Sequence, residues 1–141
     1  MLDAGPLGMI SHPRASADAA AWLAQLVSAG AEVLIPEIAD YEVRRELLRA
    51  GRTKGIARLD LLKATLGFVP ITSAAMLQAA EFWADARRRG RPTASDESLD
   101  ADVILAAQAV TVPGKSVVVA STNPKHISRF VDAEHWKAIR G

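Results

Sequence analysis

Leu2-Asp3-Ala4-Gly5-Pro6-Leu7 places a carboxylate where a first strand gives way directly to a helix. Proline suits the first turn of a helix, because its missing N–H would have no partner there in any case. In open α/β sheets the ligand crevice lies beyond the carboxyl ends of the strands. Asp3 therefore stands where chemistry is done, although an Asp before a turn also serves as an ordinary helix cap. The chain has only Met1 and Leu2 ahead of Asp3. That is short for a central strand, and the expectation is that the natural start lies further upstream.

Outward from this point, strands alternate with helices. Helices are expected over residues 5–11, 16–28, 37–50, 53–66, 73–89 and 99–110, with a last helical turn or two in 123–130. Strands are expected at 32–35, at 68–71 near an edge because of Pro70, and at 116–120, whose apolar run marks a central, doubly covered strand. Residues 131–139 are expected to return along an edge, and 90–98 to form a polar loop. The third helix should bury Ile38, Tyr41, Leu47 and Leu48, and the fifth Met76, Leu77, Ala80, Phe82, Trp83 and Ala86. The three tryptophans, Trp22, Trp83 and Trp136, read as core. The alternation predicts a single α/β domain over residues 1–141: a three-layer α/β/α sandwich around a parallel sheet of four to five strands.

Half of the 141 residues are hydrophobic, enough for one core. Cysteine is absent, which excludes disulfides, thiolate metal sites and a thiol nucleophile and agrees with a cytoplasmic location. No apolar run approaches the length of a membrane span, so no membrane partner is expected. The net charge of +1 is uninformative, but its distribution is not. Between residues 44 and 63 stand seven basic residues, among them Arg44, Arg45, Arg49 and Arg52, against two acids. This is either a solvated helix face or a phosphate-binding rim. Arg87-Arg88-Arg89-Gly90-Arg91 forms a second basic group at a helix C-terminus.

Further acids return to the edge that carries Asp3. Glu37-Ile38-Ala39-Asp40-Tyr41-Glu42 opens a helix straight after the second strand. Ser98-Leu99-Asp100-Ala101-Asp102 opens another, with Asp100 as cap and Asp102 in the first turn. Ser121-Thr122-Asn123 ends the apolar strand in hydroxyls and an amide. Each residue has a plain structural use as cap, turn residue or helix acid. Together, converging carboxylates repel unless a cation lies between them. A set of oxygen donors suits Mg²⁺ or Mn²⁺, which typically serve phosphate substrates. Histidines without ligand spacing argue against zinc, and His126 reads as a surface or partly packed residue. A carboxylate-nucleophile domain, phosphatase-like or receiver-like, would also need a lysine near the central strand's end. Lys125 is available, but the order of the acids fits a nuclease better.

These stretches, with Val103-Ile104-Leu105-Ala106-Ala107 after Asp102 and Val118-Val119-Ala120 before Ser121, resemble the PIN domain and most closely its VapC-type toxin ribonucleases. The resemblance spans nearly the whole chain. It implies a Mg²⁺- or Mn²⁺-dependent endoribonuclease that hydrolyses RNA phosphodiesters with a metal-activated water. By position, Asp3, Glu42 and Asp102 are then the catalytic, metal-holding acids. Asn123 takes the fourth metal position, where an acid is usual, Ser121 hydrogen-bonds Asp3 or the backbone, and Asp100 supports. Arg44, Arg45, Arg49 and Arg52 would hold the RNA. A VapB-like antitoxin is the implied partner, seated in a groove bordered by the second to fourth helices. A homodimer is expected because C₂ symmetry is the commonest arrangement. The alternative is a catalytically weak PIN-fold protein that binds nucleic acid or regulates.

Overall fold

The computed structural model describes residues 1–12, 14, 16–89 and 96–141. Residues 90–95, most of the expected polar loop and including Arg91, lie outside them. The fold is mixed α/β, with six α-helices and two short parallel strand pairs among the described residues.

Asp3 caps α1 (Ala4–Ser11), and Ser16 caps α2 (Ala17–Ser28), whose Trp22, Leu23 and Leu26 form the inward stripe. Gly30, at φ 81°, closes that helix in the left-handed region where glycine is favoured. Strand β1 (Leu34–Pro36) is buried throughout and runs directly into α3 (Glu37–Arg49). Then come α4 (Thr53–Thr65), β2 (Gly67–Val69), α5 (Ser73–Arg88), α6 (Asp96–Val110), β3 (Val119–Ser121) and β4 (Ala133–His135), with 3₁₀ turns at Ile127–Arg129 and Trp136–Ala138.

Strand β1 pairs in parallel with β2, and β3 with β4. The N-terminal residues run between the two pairs. Leu2 N–H donates to the Leu34 carbonyl at 2.9 Å, while Ala120 N–H donates to Met1 at 2.8 Å and Asp3 N–H to Ala120 at 3.0 Å. The Met1 ammonium donates to the Val118 carbonyl at 2.9 Å, and burial lowers its pKa to about 6. The expected four- to five-stranded sheet thus resolves into two pairs. The segment before α1 makes a single parallel bridge, Leu2 to Ala120.

Side chains alternate across these strands, as the pleat requires. Leu2, Ile35 and Ala120 join one core cluster with Leu7, Ile10 and Trp22, together with Val43, Leu47, Leu59 and Trp136. Met1, Leu34 and Val119 join another with Ile38, Leu105 and Ile127. Trp22 and Trp136 meet edge to face at 5.3 Å, and the Trp22 indole N–H donates to the Ile139 carbonyl at 3.1 Å.

The expected helix faces need correction. Helix α5 buries Ala75 and Ala79 against Val103 and Ala107 of α6. Small residues let the two helices approach closely, and this rotates Met76, Leu77, Ala80 and Trp83 outward. The outward Trp83 carries the Arg87 guanidinium over its ring. On α3, Ala39, Asp40 and Val43 turn inward while Tyr41 and Leu48 are exposed. Helix α6 begins at Asp96, earlier than expected, so Asp100 is no cap and Asp102 falls in the second turn.

Candidate functional site

Asp3 is fixed at both carboxylate oxygens. Oδ1 accepts from the Ala4 N–H at 2.7 Å, and Oδ2 accepts from the Ser121 hydroxyl at 2.6 Å. Buried Ser121 in turn accepts from the Asn123 N–H at 3.0 Å. Both Ser121 contacts that the resemblance leaves open, to Asp3 and to the backbone, are made. The first ties the end of β3 to the start of α1. Gly5 allows the close approach: a Cβ there would stand 2.9 Å from the Thr122 methyl.

Glu42 sits in the second turn of α3 and Asp102 in the second turn of α6, both half-buried. The Glu42 carboxyl is pushed above its ordinary value by burial first, then by the charges of Asp3 and Asp102, with Arg45 opposing. Asp102 is pushed up by burial and then by Asp3, with His126 opposing. Three acids from three separate segments are therefore within electrostatic reach of one another, at the end of the strands where α1 and α3 begin. Among the described residues no group of three or more acidic or imidazole side chains forms a ready ion cage. Like charges resist closer approach without a cation between them. The donor set, hard carboxylate oxygens with a hydroxyl behind one of them, is chemically suited to Mg²⁺ or Mn²⁺.

The remaining expected residues divide. Asn123 is exposed beside Ser121, and its described bond is made through the backbone. Asp100 is exposed and caps nothing, because the helix starts a turn before it. Arg44 leaves the expected rim: it binds Asp40 at 2.8 Å and Asp60 at 2.7 Å, joining α3 to α4. Its partner Asp40 is buried, and such a charge needs its ion pair. Arg45 lies 4.0 Å from Glu42 and over the Tyr41 ring, and Arg49 pairs with Glu46 at 2.6 Å. Arg45, Arg49 and Arg52 border a groove of about 590 Å³ between α1 and α3, which begins at Ala4 and Glu42 beside Asp3. The groove expected for a partner is bordered by the second to fourth helices; this one shares only α3 with it and has α1 as its other wall. His12 lines it as well, and the charge of His126, read from the sequence as a surface or partly packed residue, reaches Asp102.

In comparison with known proteins, no family model and no curated protein matches this chain.

The raised carboxyls have a thermodynamic consequence. A group whose folded pKa lies above its unfolded value holds its proton more tightly when folded. Its charge then costs stability above the folded pKa, and that cost vanishes below the unfolded one. Asp102→Asn should therefore raise the thermal midpoint at pH 7 and leave it unchanged at pH 3. Because Asp102 is half-exposed, solvent screening keeps the gain under about 1 kcal/mol. Thermal melts at both pH values check this; a lower midpoint at pH 7 would remove the repulsion argument.

Proposed function

We propose that this chain is a PIN-like, Mg²⁺- or Mn²⁺-dependent endoribonuclease, the toxin of a VapBC-type toxin–antitoxin pair. The observation that carries the reading is that the Asp3 carboxylate, fixed by Ser121 and the Ala4 N–H, adds to burial in pushing up both Glu42 and Asp102. In this reading the two strand pairs and residues 1–3 act as one parallel sheet in an α/β/α sandwich, in the order β2-β1-(1–3)-β3-β4. The backbone bonds of Met1, Leu2 and Asp3 to both sides support that order.

Asp3, Glu42 and Asp102 would hold the ion, with Asn123 at the fourth position. When bound, the ion supplies positive charge to the phosphodiester and lowers the pKa of a water. The chain's own residues do the rest. Ser121 and the start of α1 hold the Asp3 carboxylate in one orientation. Arg45, Arg49 and Arg52 line a groove leading away from the acids, where an RNA backbone can lie. No helix among the described residues is long and apolar enough to cross a membrane. A cytoplasmic protein, a homodimer and an antitoxin that covers the groove complete the proposal.

The test is cleavage of single-stranded RNA with Mn²⁺, its loss in EDTA, its return with excess Mn²⁺, and its absence in Glu42→Gln. Binding without cleavage would favour the second reading, a catalytically weak nucleic-acid-binding protein. The exposed, uncharged Asn123 in place of a fourth acid speaks for that one. Phosphate contacts also set a salt dependence, with a log–log slope of about −0.7 per contact on single strands. Arg45→Ala with Arg52→Ala should flatten the slope by about 1.4. An unchanged slope in filter-binding titrations would return these residues to the role of solvated helix face.

A further inference from the structure

The buried polar residues among those described are Ser11, Asp40, Gln108 and Ser121. Ser11 bonds within its own helix, Asp40 pairs with Arg44, and Ser121 holds Asp3. Gln108 has no such local use. It is fully buried on α6, and its side-chain amide spans two other elements. Oε1 accepts from the Ile38 N–H on α3 at 3.2 Å, and Nε2 donates to the Val69 carbonyl at the end of β2 at 2.7 Å. One donor and one acceptor fix the orientation of the amide.

Helix α3 needs this contact. The first N–H groups of a helix have no partner inside it and usually find one in the N-cap side chain. The N-cap of α3 is Pro36, which makes no side-chain cap bond. Gln108 supplies the missing acceptor from 70 residues away. The capped residue, Ile38, lies about one turn before Glu42, and Gln108 lies about 9 Å along the α6 axis from Asp102. The amide thus joins the two helices that carry two of the three acids, close to both.

We infer that Gln108 is a positioning residue: by capping α3 from α6 it sets the separation of Glu42 and Asp102, and with it the affinity of the acid cluster for a divalent cation. The second half of this statement rests on the metal-site reading above; the first half does not.

The test uses the full chain. Because cysteine is absent, Leu48→Cys on α3 and Val110→Cys on α6, both exposed, give a single spin-label pair. Gln108→Met keeps the volume and removes both hydrogen bonds. If that variant does not fold, Gln108→Leu, which likewise removes both the acceptor for Ile38 and the donor to Val69, replaces it. The expected result is a broadened or shifted distance distribution between labels. In the chain without labels, Mn²⁺ affinity should weaken about 10- to 100-fold, the range for residues that orient metal ligands. Leu26→Ala, in the other core cluster, should lower the thermal midpoint yet leave Mn²⁺ affinity unchanged. An unaltered distance distribution overturns the inference. So does a broadened distribution with undiminished Mn²⁺ binding, or an equal loss of affinity in Leu26→Ala. A broadened distribution in a protein whose unsubstituted form binds no Mn²⁺ upholds the helix clamp and defeats the metal-site reading instead.

Discussion

Asp3→Asn is expected to lower Mn²⁺-dependent RNA cleavage by at least about 10²-fold, the scale on which removing one preorganised electrostatic group acts. Asp3 is the most informative acid because its charge reaches both of the others, whereas His126 and Arg45 each oppose only one of them. The substitution is also structurally mild. Asparagine caps helices about as well as aspartate, so the bond from Ala4 survives. The Ser121 hydroxyl can donate to or accept from an amide. Loss of cleavage should therefore come without loss of fold. Circular dichroism should match that of the unsubstituted chain, the metal-free midpoint at pH 7 should be no lower because repulsion with Glu42 and Asp102 is relieved, and Mn²⁺ should raise the midpoint of the unsubstituted chain only. Cleavage within a few-fold of the original rate would refute the proposed role of Asp3.

Trp22→Ala should produce the largest loss of stability, about 3–5 kcal/mol. Trp22 fills the cluster between α2 and the strands, meets Trp136 edge to face and donates to Ile139. Alanine loses the buried ring, the ring–ring contact and the hydrogen bond together, and leaves the Ile139 carbonyl without that donor. Against a typical total of about 5–15 kcal/mol this is a large fraction. Chemical denaturation should show a lower midpoint with a similar slope. A loss below about 1 kcal/mol would mean that the C-terminal segment contributes little to the core.

Comparison with the sequence shows which features were legible there. The strand-to-helix step at Asp3-Ala4-Gly5-Pro6 was legible because a cap, a small residue and a proline each act locally. The same holds for the Ser16 cap, the Trp22 stripe and the abrupt start of α3 after β1. What escaped depends on contacts between distant segments. Helix α5 has two possible inward faces, and only its partner α6 selects Ala75 and Ala79 over Met76 and Trp83. Arg44 reads as one more cation on a basic helix until Asp60 of the next helix binds it. Asp100 resembles a cap because nothing in its surroundings signals that the helix already began at Asp96. Gln108 lies in an apolar run, and its two partners are 70 and 39 residues away.

The hydrogen bond between Asp3 and Ser121 joins residues 118 positions apart. At roughly 5–20 residues per second, a ribosome takes about 6–24 s to cover that distance. Throughout that time Asp3 exists without the strand it will lie against, since the Ala120 carbonyl that receives its N–H is equally late. Glu42 emerges early and Asp102 later, but the third acid finds its place only when β3 arrives. The acid cluster is thus assembled only once β3 has been made, and a nascent chain halted anywhere before β3 carries its acids without that arrangement.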